Sequence, residues 1–218
     1  MTDSFFTQSY IVLGLSGKKG VGKNYISETY TIPQLCSKVR EKYPDKTIIP
    51  YFFSFGSCIK AELYSRNVSF KLDDFLSNQP KTKEMRMLLQ SYGTELGREQ
   101  NHDKIWIRQI EYWMANQLIY LSRSPISEHL IPLFVIQDIR FKNEYEYVSK
   151  LPNSIIIRIV SDERHSKTCQ IEGIKDDHVS ETDLDHHLFP YYIFNDSYHQ
   201  PEEQSMDIIT HVLESIGL

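Results

Sequence analysis

The stretch IVLGLSGKKGVGKNYISE, Ile11 to Glu28, restricts the fold more than any other. Tyr10–Leu15 is a continuous apolar run, which reads as a strand covered on both faces. Asn24–Tyr30 reads as a helix. Between them, Gly17 to Lys23 holds three glycines and three lysines. Glycine tolerates the left-handed backbone that other residues avoid, so Gly17, Gly20 and Gly22 permit a tight loop. A strand that turns directly into a helix begins a parallel β-α unit.

The remaining apolar runs extend that reading. Ile48–Phe55, Ile131–Gln137, Ser154–Val160 and Tyr191–Phe194 read as four further strands, with Pro50 placing the second near an edge or a bend. Helical spacing appears over Lys83–Arg98, with Met85, Leu88, Leu89, Tyr92 and Leu96 on one face. It recurs over Ile105–Leu121, with Trp106, Ile110, Trp113, Leu118 and Leu121. Beyond Pro201 it returns with Met206, Ile209, Val212, Leu213 and Ile216. Pro33 is suited to the first turn of a separate helix. The expectation is an α/β fold: three layers, with a five-stranded, mostly parallel sheet. A single domain over 1–218 is expected, given the length.

Charge narrows the partners. The chain carries 24 Lys+Arg against 29 Asp+Glu, a net charge of -5, which argues against a nucleic-acid polymer as ligand. Cys36, Cys58 and Cys169 are scattered, with no C-x-x-C pair, as expected for thiols in a reducing compartment. The opening MTDSFFTQSY has no secretory pattern and no run nears membrane-spanning length. A cytoplasmic location is therefore expected, with no membrane partner. A homodimer is left open.

Gly17 to Asn24, GKKGVGKN, follows G-x-x-x-x-G-K and a polar residue. In the strand-loop-helix context this is the pattern that cradles phosphates. Backbone N–H groups turn inward, the helix adds its positive end, and the lysine reaches the outer phosphates. The expected nucleotide contacts are Gly17, Lys18, Gly20, Val21, Gly22, Lys23 and Asn24. The last position usually holds a hydroxyl for Mg²⁺; here Asn24 offers an amide. VIQDIRF puts Asp138 and Arg140 at the C-terminal end of the third strand, where parallel sheets meet their ligands. Asp138 is the expected metal carboxylate beside Asn24, and Arg140 the expected phosphoryl clamp. Arg86 and Arg98 flank LLQSYGTELG and are candidate acceptor-phosphate ligands. The segment after the fourth strand carries Arg158, Arg164, His165 and Lys167, and residues 161–182 read as a lid-like loop. DDHVSETDLDHH contains His178, Asp185, His186 and His187 at no recognised ligand spacing, so they read as surface residues.

The order GKKGVGKN, LLQSYGTELGR, VIQDIRFKNEYEYV, HVSE, IFNDS resembles the phage and viral deoxynucleoside monophosphate kinases from Leu13 to about Ser197. GTELGR with the following Trp106, and DIRFKNE, are its more specific blocks. The resemblance implies a P-loop NTPase fold of the nucleoside monophosphate kinase type with a lid, and ATP and Mg²⁺ as cofactors. It implies γ-phosphoryl transfer to a deoxynucleoside monophosphate, with 83–121 as the helical acceptor-binding region. Lys23, Asp138, Arg140 and Arg98 would be catalytic. Asn195, in the N-D block, matches the donor-base region; Arg86, Arg98, Arg140 and Arg164 would bind the acceptor. The family often has Asp where this chain has Asn24. A phosphomevalonate kinase-like enzyme and a non-catalytic nucleotide-binding protein are the alternatives.

Overall fold

The computed structural model describes residues 10–66, 71, 73, 82–99, 102–172 and 178–215. The chain divides into two compact units, one of Met1–Phe52 with Asn116–Leu218, the other of Phe53–Ala115.

The first unit is built on a five-stranded sheet. Its strands are β1 (Ile11–Ser16), β2 (Thr47–Phe53), β3 (Leu130–Ile139), β4 (Ser154–Val160) and β5 (Tyr191–Phe194), in the order β2-β3-β1-β4-β5. β1 runs parallel to β3 and β4, and β4 parallel to β5. β1 is central and buried along its whole length, as its unbroken apolar sequence requires. β2 is an edge strand, which is where Pro50 removes no needed ladder donor.

Alternation along the strands divides the core into two layers. Ile11, Leu13, Leu15, Leu133, Val135, Ile155 and Ile157 form one cluster with residues of three helices. These helices are α1 (Lys23–Ile26), α2 (Ile32–Lys42) and α9 (Pro201–Ser215). The opposite face includes Gly14, whose missing side chain leaves room for Ile139, Ile156 and Val148 of α6 (Lys142–Ser149). Each fully buried aliphatic side chain contributes roughly 1.5–3 kcal/mol relative to exposure. Helices thus cover both faces, giving the expected three-layer α/β architecture.

Two details at the sheet differ from a regular pattern. The helical run after the glycine loop does not break before Pro33. A π-helical turn, Ser27–Thr31, joins α1 to α2 and brings Pro33 into the first turn of α2. The wider turn accommodates a ring that carries no N–H to donate. On β3 the register advances from Ile136 to Ile139 while β1 advances from Gly14 to Ser16. One extra residue on β3 therefore puts Ile139, fully buried, where strict alternation would put Asp138.

The second unit is helical, with α3 (Phe55–Ser65), α4 (Lys83–Ser91), a π-helical stretch, Tyr92–Glu99, and the part of α5 (Ile105–Ser122) up to Ala115. Ser54 caps α3 by accepting from Ser57 N at 2.9 Å, and Thr82 caps α4 by accepting from Met85 N at 3.2 Å. Leu63 and Met85 pack with Ile59, Leu88, Leu89 and Tyr92. The Trp106 indole N–H donates to Gly93 O at 2.8 Å, and its ring occupies the space a side chain at Gly97 would need. The glycines of GTELG thus seat the tryptophan that follows them. Leu96 was expected on the α4 face, and its side chain lies outside the described residues, as does Ile216 beyond α9.

Candidate functional site

The glycine loop adopts the backbone its sequence allows. Gly17, Gly20 and Gly22 have φ of 146°, 81° and 89°. A Cβ at Gly17 would lie 2.5 Å from Ile159 O, and one at Gly22 would lie 2.5 Å from the Asn195 amide nitrogen. Val21 anchors the loop in the core, and Asn195, itself buried, donates from Nδ2 to Val21 O at 2.8 Å. Asn195, the residue after β5, therefore supports the loop through its Val21 carbonyl.

Lys23 opens α1 and folds back over the loop. Its Nζ donates to Gly17 O at 2.8 Å and Lys18 O at 3.0 Å. Burial lowers the ammonium pKa to about 7, assisted by the positive fields of Arg140 and Arg158 and opposed by Glu181 and Asp138. Asn24, the next residue, is exposed. Its hard amide oxygen and the Asp138 carboxylate are donors of the kind Mg²⁺ prefers.

Arg140 is set by the start of α6. Glu144, buried in the first turn of that helix, accepts from Arg140 N at 2.8 Å and Phe141 N at 3.1 Å. The Arg140 guanidinium meets the Glu181 carboxylate and donates to Ser180 O at 3.3 Å. Arg158 projects from β4 and donates to Ser16 Oγ at 2.9 Å; Ser16 in turn donates to Ile139 O at 2.8 Å. One buried serine thus ties the C-terminal ends of β1, β3 and β4 together. Arg158 also pairs with Asp185 at 3.5 Å and lies over the Phe189 ring, 5.4 Å from its centre.

The segment expected as a loop is largely helical. α7 (Asp162–Glu172) and the short α8 (Val179–Thr182) cover most of 161–182, and 173–177 lie outside the described residues. Asp162 and Glu163 complement the positive end of α7, and Glu163 pairs with Lys167 one turn on. α7 contacts the loop directly: Thr168 fills the space beside Gly20, and His165 Nδ1 donates to Lys19 O at 2.7 Å. Since a carbonyl only accepts, that contact fixes the proton on Nδ1. Arg164 is exposed on the same helix.

The fold thus gathers the loop residues, Lys23, Asp138, Arg140 and Asn195 at one end of the sheet. Arg86 and Arg98 belong to the helical unit, where Arg98 donates to Asp103 O at 3.3 Å. Ser16, Glu144, Glu181 and Asp185 were not among the expected site residues, although DIRFKNE contains Glu144 and HVSE contains Glu181. Arg158, a cation inside SIIIRIV, was expected with the basic residues of the lid and instead lies at the strand end. Asp185, read from the sequence as a surface residue with its neighbouring histidines, pairs with Lys18 at 3.2 Å as well as with Arg158.

No family model matches the chain, and no curated protein matches it. Solved structures do. The shikimate kinase from Bacteroides thetaiotaomicron is 13% identical with a TM-score of 0.40, over 95% of this chain and 99% of its own. A gluconokinase from Sinorhizobium meliloti 1021 is 10% identical with a TM-score of 0.39, over 96% and 97%. TT1252 from Thermus thermophilus is 12% identical with a TM-score of 0.47, over 95% and 98%. Identities this low leave the chemistry to be argued from the residues. Among the described residues, no helix is long and apolar enough to cross a membrane.

Proposed function

We propose that the chain is an ATP-dependent kinase that moves a γ-phosphoryl group to a deoxynucleoside monophosphate, giving the diphosphate. One observation carries the phosphoryl-transfer part: an ammonium held by two carbonyls of a loop whose three glycines all have positive φ, at the end of a central parallel strand. The acceptor class rests on the resemblance of the GTELGR and DIRFKNE blocks.

In this reading the loop amides and Lys23 hold the donor phosphates. Arg140 and Arg158 meet the charge that develops on the group in flight, which is where phosphoryl transfer gains most of its rate. Asn24 and Asp138 would hold Mg²⁺, which supplies charge neutralisation between the donor phosphates. Arg86 and Arg98 are the proposed ligands of the acceptor phosphate. The α7–α8 region is the proposed lid, and small-molecule nucleotides in the cytoplasm are the proposed substrates.

The test is an acceptor panel of deoxynucleoside monophosphates, ribonucleoside monophosphates and phosphomevalonate, each with ATP and Mg²⁺, read by ADP release. Release dependent on a deoxynucleotide is expected. Release with phosphomevalonate alone would replace the acceptor, and nucleotide binding without release to any acceptor would make the chain a non-catalytic binder.

A further inference from the structure

The cations at the end of the sheet already have anionic partners, and these come from one short stretch. Glu181 accepts from the Lys19 backbone N–H at 3.0 Å through one oxygen and meets Arg140 through the other. Asp185 lies 3.2 Å from Lys18 Nζ through one oxygen and 3.5 Å from Arg158 through the other. Each carboxylate thus spans one group of the glycine loop and one arginine from a neighbouring strand end. Two oxygens of a phosphate would make the same pair of contacts. The enclosed space beside them, lined by Gly17, Lys18, Arg140, Arg158, Glu181 and Leu184, has a volume of about 10 Å³. That is about room for one water and too little for a phosphate.

We infer that Glu181 and Asp185 are tethered phosphate mimics. They occupy two anion subsites of the cradle, and a polyphosphate binds by exchanging with them. The inference rests on the phosphate-binding reading of the loop and adds how that loop is kept closed. It also sets the ligand class: two separated anionic groups are needed to replace both carboxylates, so the exchange favours an oligophosphate over a single phosphate. The stretch is built to let the two side chains go while remaining attached. Leu184 is buried, Asp183 accepts from Lys142 N at 2.8 Å, and the His187 ring lies 4.0 Å from that of Tyr145. Beside Ser180 O, which accepts from Arg140 at 3.3 Å, the Glu181 and Asp185 carboxylates are the side chains of this stretch that reach the cradle among the described residues. While they remain there, the cations are neutralised in the absence of ligand, which limits the repulsion between Lys18, Lys23, Arg140 and Arg158.

The experiment is titration of the full chain with sodium tripolyphosphate, followed by calorimetry, for the wild type and for Glu181→Gln, Asp185→Asn and Asp183→Asn. Glu181→Gln keeps the shape of the side chain and removes its charge. It should tighten binding about tenfold, and Asp185→Asn should tighten it by a smaller factor. Asp183→Asn, on the same stretch but directed at α6, should leave the affinity within about twofold. Thermal melts confirm that each variant is folded. If the wild type binds and both cradle variants bind no tighter, the exchange is wrong and the cradle stands. If no folded form binds tripolyphosphate, the phosphate reading fails and the exchange fails with it. Equal tightening by Asp183→Asn would mean that net charge alone is responsible, and would also overturn the inference.

Discussion

The glycine loop and the acidic stretch opposite it carry matching charges but are held in different ways. The loop is fixed from every side: by the positive φ of its glycines, by Val21 in the core, by Asn195 on Val21 O and by Thr168 against Gly20. The acidic stretch is fixed by Leu184 and Asp183, while the Glu181 and Asp185 carboxylates reach the cradle through ionic contacts and the Lys19 backbone N–H. In the proposed reading, donors that receive a phosphate in one geometry are built into the backbone. Acceptors that give way to it are built from side chains, whose contacts can be exchanged without unfolding.

The sharpest way to break that contrast is to remove Lys23, a loop cation whose ammonium is set in two backbone carbonyls. Lys23→Ala should lower turnover at least about a hundredfold in the acceptor assay while the circular dichroism spectrum stays native. Near-wild-type turnover would sink the catalytic reading of the loop. Lys23→Met should also raise Tm by roughly 2–4 °C in a calorimetric scan, because it relieves a charge that burial disfavours.

Next comes the fixed backbone. Gly22→Ala forces a Cβ against the Asn195 amide at a left-handed position, and should cost about 1–3 kcal/mol of stability in urea unfolding. Asn195→Ala in that background should recover part of the loss by opening the space. Full stability in the single variant would show that the loop is not fixed as described.

Protonation tests the electrostatic half of the contrast. Lys23 titrates near pH 7 among Arg140, Arg158, Glu181 and Asp138. Bound polyphosphate favours its charged form, so binding takes up a proton. Affinity for tripolyphosphate should fall by up to about tenfold per pH unit as pH rises above 7, and calorimetry in buffers of different ionisation enthalpy should record the uptake. For the free protein the sign runs the other way: the unfolded chain holds the lysine proton more tightly, so stability should rise with pH from about 7 towards the ordinary lysine range. Lys23→Met should flatten both slopes.

The smallest effect is expected at Asn24. Its exposed side chain lies outside the fixed part of the loop, so Asn24→Ser should keep turnover within about threefold or raise it. Complete loss would mean that the amide itself is required.

What the sequence made legible follows from the range of each interaction. The strand, the glycine loop and Lys23 form one continuous stretch, and the short covalent connection between them limits the geometry to one form. β1, β3 and β4 were readable because burial on both faces writes a nearly unbroken apolar run, while β2 and β5, at the two edges and largely part-exposed, were readable as short apolar and aromatic runs. α7 was read as loop because DERHSKTCQIE has no apolar stripe, and its support comes from terminal charges and the Glu163–Lys167 pair. Ser16, Glu181 and Asp185 were illegible for another reason. Ser16 meets Ile139 across 123 positions and Glu181 meets Lys19 across 162, and polar residues at such separations carry no periodic mark. Asn195 was expected at the donor base; its amide instead donates to the loop carbonyl of Val21, a contact across 174 positions that no local pattern marks.

The extra residue near the end of β3 carries a consequence for the length of this strand. It acts as a half-step in the pleat, so that an isoleucine seals the space opened by Gly14 and the aspartate beside it remains in the field of Lys23. Deleting Gln137 would restore even counting, leave Ile139 opposite Ser16 and bring Asp138 alone opposite the fully buried Leu15, at a cost of several kcal/mol for a carboxylate turned to that dry face. The strand must therefore count unevenly for its sheet to stay dry.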